Sequence, residues 1–214
     1  RLTRFGGSVL FQQFLEGRQE SVSLLYAQKE VHACFAQWTM RAQPPLGGVS
    51  TYRQSITLPP DTGFQSERLV REIDLEGYSQ IQFRRDIDGN AYLMEINPRL
   101  TSGIEVAVRS GIDFPYLVYQ WANGDPIDRT LGYRTGVRMR YLEGDFLTTL
   151  QTIAQHGRPG VTPPTRALLE FLATFFIPMG YDYFDWRDLH PTWTASGESV
   201  DRVQRQLKKV LTRP

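Results

Sequence analysis

Apolar and polar residues alternate through most of the first hundred positions, a period of two that marks strands with one buried face. Runs 9–15, 21–27, 31–38, 50–58, 78–85 and 91–97 read as strands, with turns signalled by Gly17-Arg18-Gln19 and Gln28-Lys29-Glu30. Between the fourth and fifth runs, Phe64, Leu69, Ile73 and Leu75 form a helical stripe. Two helices follow the sixth: 102–110, opened by the capping box Ser102-x-x-Glu105 and closed by Gly111, and 114–122, closed near Gly124. The pattern predicts an α+β fold for residues 1–127, an antiparallel β-sheet with flanking helices.

From 128 to 214 the period changes, and a mostly helical C-terminal extension is expected. One strand is expected over 136–142, with Val137, Met139 and Tyr141 on one face. Asp145 reads as the cap of a helix over 145–155, followed by a loop over 157–164 rich in Gly and Pro. An apolar helix over 165–177 ends at Pro178, and 199–211 forms an amphipathic helix with Val203, Leu207 and Val210 inward.

Composition narrows the function classes. Lys plus Arg number 24 against 23 for Asp plus Glu, and the basic residues are scattered, so no nucleic-acid or membrane footprint is expected. The longest apolar run, 167–179, is broken by Glu170, Thr174 and Pro178 and falls short of the roughly 20 residues of a membrane span. A single cysteine, Cys34, excludes an internal disulfide and fits a reducing, cytoplasmic setting. The three histidines have no metal-ligand spacing. The aromatic and acidic residues of 181–188 read as packing against the sheet.

The densest chemistry lies in Tyr92-Leu93-Met94-Glu95-Ile96-Asn97-Pro98-Arg99. Strand alternation sends Glu95, Asn97 and Arg99 to one face. Upstream, Asp88-Gly89 separates two apolar-rich runs, a strong hairpin signal. As a two-residue turn it sets Ile87 against Asn90, Phe83 against Met94 and Gln82 against Glu95, with side-chain roots about 5 Å apart. A carboxylate, two amide oxygens and a guanidinium then converge, a donor set for a hard cation with an arginine beside it for phosphate charge.

The stretch 77–99, with its Gln-x-Phe and Glu-x-Asn-Pro-Arg elements, resembles the metal-binding hairpin of the ATP-grasp superfamily, most closely its carbamoyl phosphate synthase-like branch. The resemblance implies Gln82 and Glu95 on one divalent metal, Glu95 and Asn97 on a second, Mg2+ or Mn2+, and Arg99 as the catalytic arginine at the phosphoryl group. Residues 9–17 resemble the strand that holds adenine, implying contacts from Gln12, Gln13, Phe14 and Leu15, with Glu20 taking the ribose hydroxyls. A glycine-containing loop near the reacting groups of such enzymes makes Arg41, Gly47, Gly48 and Ser50 the expected acceptor side. By sequence alone that loop is an ordinary wide connection, and it lacks the Gly-Lys-Ser/Thr of a P-loop.

The implied activity is a ligase using ATP, a small-molecule carboxylate and an amine. The competing expectation is a nucleotide-binding regulatory or scaffold protein of the same fold. Such a site also calls for a lysine on the ATP phosphates, yet the only lysines are Lys29, Lys208 and Lys209, none suitably placed. The expectation is therefore that the chain is the C-terminal part of a longer protein, its missing N-terminal domains completing the site. A second copy of the chain is a further candidate partner.

Overall fold

A computed structural model describes residues 12–158, 160–184 and 189–190. Its strands are β1 (Gln19–Ala27), β2 (Glu30–Gln43), β3 (Val49–Ile56), β4 (Gly77–Arg85), β5 (Ala91–Asn97), β6 (Arg138–Arg140) and β7 (Gly180–Tyr181). The helices are α1 (Pro60–Glu72), α2 (Glu105–Ser110), α3 (Phe114–Asn123), α4 (Leu142–Ala154) and α5 (Pro164–Ala173). One sheet carries all seven strands in the order β5-β4-β1-β2-β3-β6-β7, antiparallel except for β6 with β7. The expected antiparallel sheet with flanking helices is present. It continues past residue 128, because β6 and β7 extend the same sheet at β3.

Alternation along each strand divides the sheet into two faces. On one, Val22, Leu24, Tyr26, Ala36, Ile81 and Phe83 form a core under α1. On the other, Leu25, Phe35, Tyr78 and Met139 pack against Val106, Ala107, Phe114 and Leu117 of α2 and α3. Each fully buried aliphatic or aromatic side chain contributes on the order of 1.5–3 kcal/mol, so these two layers hold the sheet between them. Tyr78 and Phe114 meet edge to face at 5.1 Å.

Helix α1 is rotated relative to the expected stripe. Its buried residues are Thr62, Gly63, Ser66 and Val70, whereas Phe64 and Ile73 are exposed. Small residues four apart let the helix lie close to the sheet, and a Cβ on Gly63 would come within 2.9 Å of Leu58. Helix α3 begins where Asp113 accepts the Tyr116 N–H (3.0 Å) and ends at Gly124, whose φ of 75° suits glycine.

Three other expectations are corrected. Ser102 caps nothing: a turn bonded from Ile104 N to Thr101 O (3.1 Å) comes first, and α2 starts only at Glu105. Asp145 lies within the first turn of α4, fully buried between Arg41, 104 positions away, and Arg140, five positions away. Residues 12–15 form no regular strand. The helix expected over 199–211 and positions 9–11 lie outside the described residues.

Cys34 packs beside the α1 core, and burial pushes its thiol up to about 12. The native thiol is therefore expected to resist iodoacetamide at pH 8 and to react once the chain unfolds, as a time course with and without denaturant shows. The sign for stability follows. An unfolded chain releases this proton near pH 9 and the folded one does not, so stability falls as pH rises above that value.

Candidate active site

The α2/α3 layer covers only one end of its face. Along β1 the residues facing it run Leu25, Ser23, Ser21, Gln19; along β2, Phe35, Gln37, Thr39; along β4, Tyr78, Gln80, Gln82, Arg84. Apolar positions thus give way to polar ones on three adjacent strands at the same level. Where the helices stop, a cavity of about 650 Å³ opens over this polar floor.

Strand register orders the floor into rows. Glu95 pairs with Gln82, Gln82 with Ser21, and Ser21 with Gln37. In the adjoining row Asn97 pairs with Gln80 and Gln80 with Ser23. Hydrogen bonds stitch the rows together: Gln19 Nε2 donates to Gln82 Oε1 (3.0 Å), Gln80 Nε2 to Ser23 Oγ (3.3 Å), and Tyr78 OH to Ser23 Oγ (3.0 Å). A polar layer in a sheet is tolerated when its groups are so paired. One is not: Gln37 Oε1 is buried with no partner among the described residues, and Gln37 lines the cavity.

The pairing of Gln82 with Glu95 agrees with the sequence expectation, but it is reached differently. Asp86 N donates to Asn90 O (3.0 Å) and Gly89 N to Asp86 O (3.2 Å), so three residues, Ile87 to Gly89, make the turn, with Gly89 at φ 88°. Phe83 therefore faces Leu93, not Met94. The register then shifts between Gln82 and Phe83, leaving Met94 as an extra residue that restores Glu95 to Gln82. The Asp86 carboxylate accepts from Asp88 N (3.0 Å), Asn90 N (2.8 Å) and Asn90 Nδ2 (3.0 Å), and these bonds, the Asn90 side chain foremost, lower its pKa. The turn is thus favoured above the ordinary carboxylate range and loosens as pH falls below it.

Gln82, Glu95, Asn97 and Arg99 all border the cavity. Asn97 Nδ2 donates to Glu95 Oε1 (2.8 Å), which leaves Asn97 Oδ1 and Glu95 Oε2 without a bond from the described residues. Among the described residues Arg99 bonds only its neighbour's carbonyl, Leu100 O, at 3.4 Å. The donor set is all oxygen with one carboxylate, which fits a hard cation that draws its remaining ligands from water and phosphate. No cluster of three His, Cys, Asp or Glu occurs among the described residues. A metal would therefore depend on these two amides and one acid together with a bound anion.

Gln12, Gln13, Phe14 and Leu15 form another wall, and Gly47, Gly48 and Ser50 a third. Gly48 has φ 149°, and a Cβ there would come within 2.2 Å of Gln43 O, so only glycine fits this loop. The structure does not bring Glu20 to the cavity. Parity places it on the α1 face, 2% exposed, where both its oxygens accept from Arg85 (2.8 Å each) and Oε1 also from Thr62 Oγ1 (2.8 Å). Arg85 in turn reaches Asp61 and Gly89 O, tying the hairpin turn to α1. Arg41 is likewise diverted: its Nε and Nη2 hold Asp145 (2.5 and 2.7 Å), and it does not line the main cavity. Lys29 is at an exposed turn, paired with Asp74 at 2.6 Å.

Residues that the sequence reading passed over are Gln19, Ser21, Gln37 and Gln80. Two-residue spacing back from Gln82 and across β1 would have found them.

A family model described as ATP-grasp in the biosynthetic pathway with Ter operon matches residues 7–145, well over half of the chain. The chain belongs to this ATP-grasp family. The main cavity is lined wholly by residues inside that match. No curated protein matches the chain by sequence. Among solved structures, the ATP-grasp chain is similar to N5-carboxyaminoimidazole synthetase from Staphylococcus aureus, with TM-score 0.52 and 14% identity over 68% of this chain and 40% of that one. The biotin carboxylase domain of Hydrogenobacter thermophilus 2-oxoglutarate carboxylase, solved with MgADP and bicarbonate, gives 0.47 and 16% over 57% and 28%. L-amino acid ligase from Bacillus licheniformis gives 0.45 and 20% over 58% and 33%. The ATP-grasp chain therefore spans less than half the length of each. Among the described residues no helix is long and apolar enough to cross a membrane.

Proposed function

We propose that the ATP-grasp chain supplies the metal-holding part of a carboxylate-amine ligase of the carbamoyl phosphate synthase-like kind. The supporting observation is the row that sets Gln82 beside Glu95, with Asn97 two residues on, at the edge of one cavity. A carboxylate oxygen of the substrate attacks the γ-phosphorus of ATP and ADP departs; an amine then attacks the acyl carbon, loses a proton and displaces phosphate. Two divalent ions supply charge neutralisation on the phosphates when bound. Gln82 and Glu95 hold one, Glu95 and Asn97 the other. Arg99 donates N–H groups to the phosphoryl oxygens as their charge grows, and the walls at 12–15 and 47–50 place the nucleotide and the acceptor. The chemistry is chiefly positioning and electrostatics.

The test is ADP release by the complete protein supplied with Mg2+, ATP and pools of small carboxylates and amines. ADP formed only when a carboxylate is present supports the ligase. Tight nucleotide binding without carboxylate-dependent ADP contradicts it and favours a silent nucleotide binder.

A further inference from the structure

A second cavity, about 350 Å³, lies between β2, the loop at 45–47 and helices α4 and α5. It shares Gln19, Thr39, Leu46, Gly47 and Arg84 with the main cavity, so the two meet at that wall. Much of its other side comes from beyond residue 145, where the family match ends.

Arg84 is unusual among the charges here. Its Nε donates to Leu15 O (2.8 Å) and its Nη1 to Leu46 O (3.2 Å), while the guanidinium lies 5.5 Å from the Phe14 ring. No carboxylate among the described residues pairs with it, and its remaining N–H groups have no acceptor there. A half-buried cation without a counter-charge is stabilised by an anion. Neighbouring charges are already engaged: Arg41 with Asp145, Glu170 with Arg166, and Arg18 over Trp38 at 4.3 Å; Glu16 is exposed.

The opposite wall is unsuited to a polar guest. Thr148, Thr149 and Thr152 give their hydroxyl protons to carbonyls of their own helix at 2.8–2.9 Å, so they offer methyl groups and no donor. Met40, Val161 and Ala167 add apolar surface.

We propose that the second cavity seats a small aliphatic carboxylate, its charged end on Arg84 and its body against Thr149, Thr152, Val161 and Met40. Its role as the acceptor seat rests on the ligase reading; the binding does not. From the shared wall the carboxylate faces the main cavity past Leu46 and Gly47.

The experiment follows the Arg84 Nε–H signal of the 15N-labelled chain, assigned by its loss in Arg84→Lys, during titration with isobutyrate. A saturable shift is expected, absent with ethylammonium and weakened at least about tenfold by Met40→Trp, which fills the cavity from an exposed position and spares the fold. A shift with inorganic phosphate but not isobutyrate would reassign Arg84 to the nucleotide and overturn the proposal. So would isobutyrate binding unchanged by Met40→Trp, or no shift at all. Nucleotide and metal are absent from this titration, so a failed ligase assay leaves its result standing.

Discussion

Glu95→Ala is expected to lower turnover of the complete enzyme at least about a thousandfold, since one carboxylate serves both proposed ions and the phosphoryl charge loses its stabilisation. The melting temperature should change by no more than about 2 °C, because Glu95 is exposed and, among the described residues, gives up only the bond from Asn97. Gln82→Ala removes a single ligand while Glu95 remains, so a smaller loss, about 10- to 100-fold, is expected, partly recovered at high Mg2+. Steady-state kinetics across a Mg2+ series, read beside thermal melts, separates the two. Near-parental turnover of Glu95→Ala, or a collapse in its stability, would contradict the assigned role.

Asp145→Ala has the largest expected effect on stability. The Asp145 side chain is fully buried and holds Arg41 Nε, Arg41 Nη2 and Arg140 Nε at 2.5–2.7 Å. Arg140, also fully buried, lies 4.5 and 4.4 Å from the Phe171 and Phe175 rings, and Arg41 stacks on Tyr52 at 4.8 Å. The acid thus joins β2, β6, α4 and the end of α5. Removing it strands two guanidinium charges in a low-dielectric setting, which costs about 3–5 kcal/mol. For a chain of this size that lowers the melting temperature by about 10 °C. A loss below about 1 kcal/mol in urea titration would mean that water reaches these arginines. Replacing all three by apolar residues of matching volume should recover much of the loss, because the penalty comes from unpaired charge.

What was legible in the sequence was mostly local. The strands of the first hundred residues, the glycine-closed helices and the opposition of Gln82 to Glu95 all follow from period, turn chemistry and parity. The last owes something to compensation, since a longer turn and a bulge at Met94 cancel. Glu20 was misplaced although parity alone puts it opposite Gln19 and Ser21. Arg41 was less accessible to such reasoning: the register of β2 with β3 shifts on either side of it, and the acid that claims it is 104 positions away. The α1 stripe held only in part: Leu69 and Leu75 pack against the core, but Thr62, Gly63 and Ser66 take the places nearest the sheet and leave Phe64 and Ile73 exposed. The strand expected over 136–142 is present as β6, but its pattern does not say which edge it joins, and β7 is too short to carry a pattern, so the continuation of the sheet past residue 128 was not legible.

The central claim is that Gln82, Glu95 and Asn97 hold divalent ions when nucleotide is present. Mn2+ titration of the complete protein, with a non-hydrolysable ATP analogue and with the side-chain amides of Gln82 and Asn97 observed by NMR, tests it directly. The account predicts selective broadening of both amide signals, strong only with the analogue and lost in Glu95→Ala. Broadening centred elsewhere, or unchanged in Glu95→Ala, would contradict it.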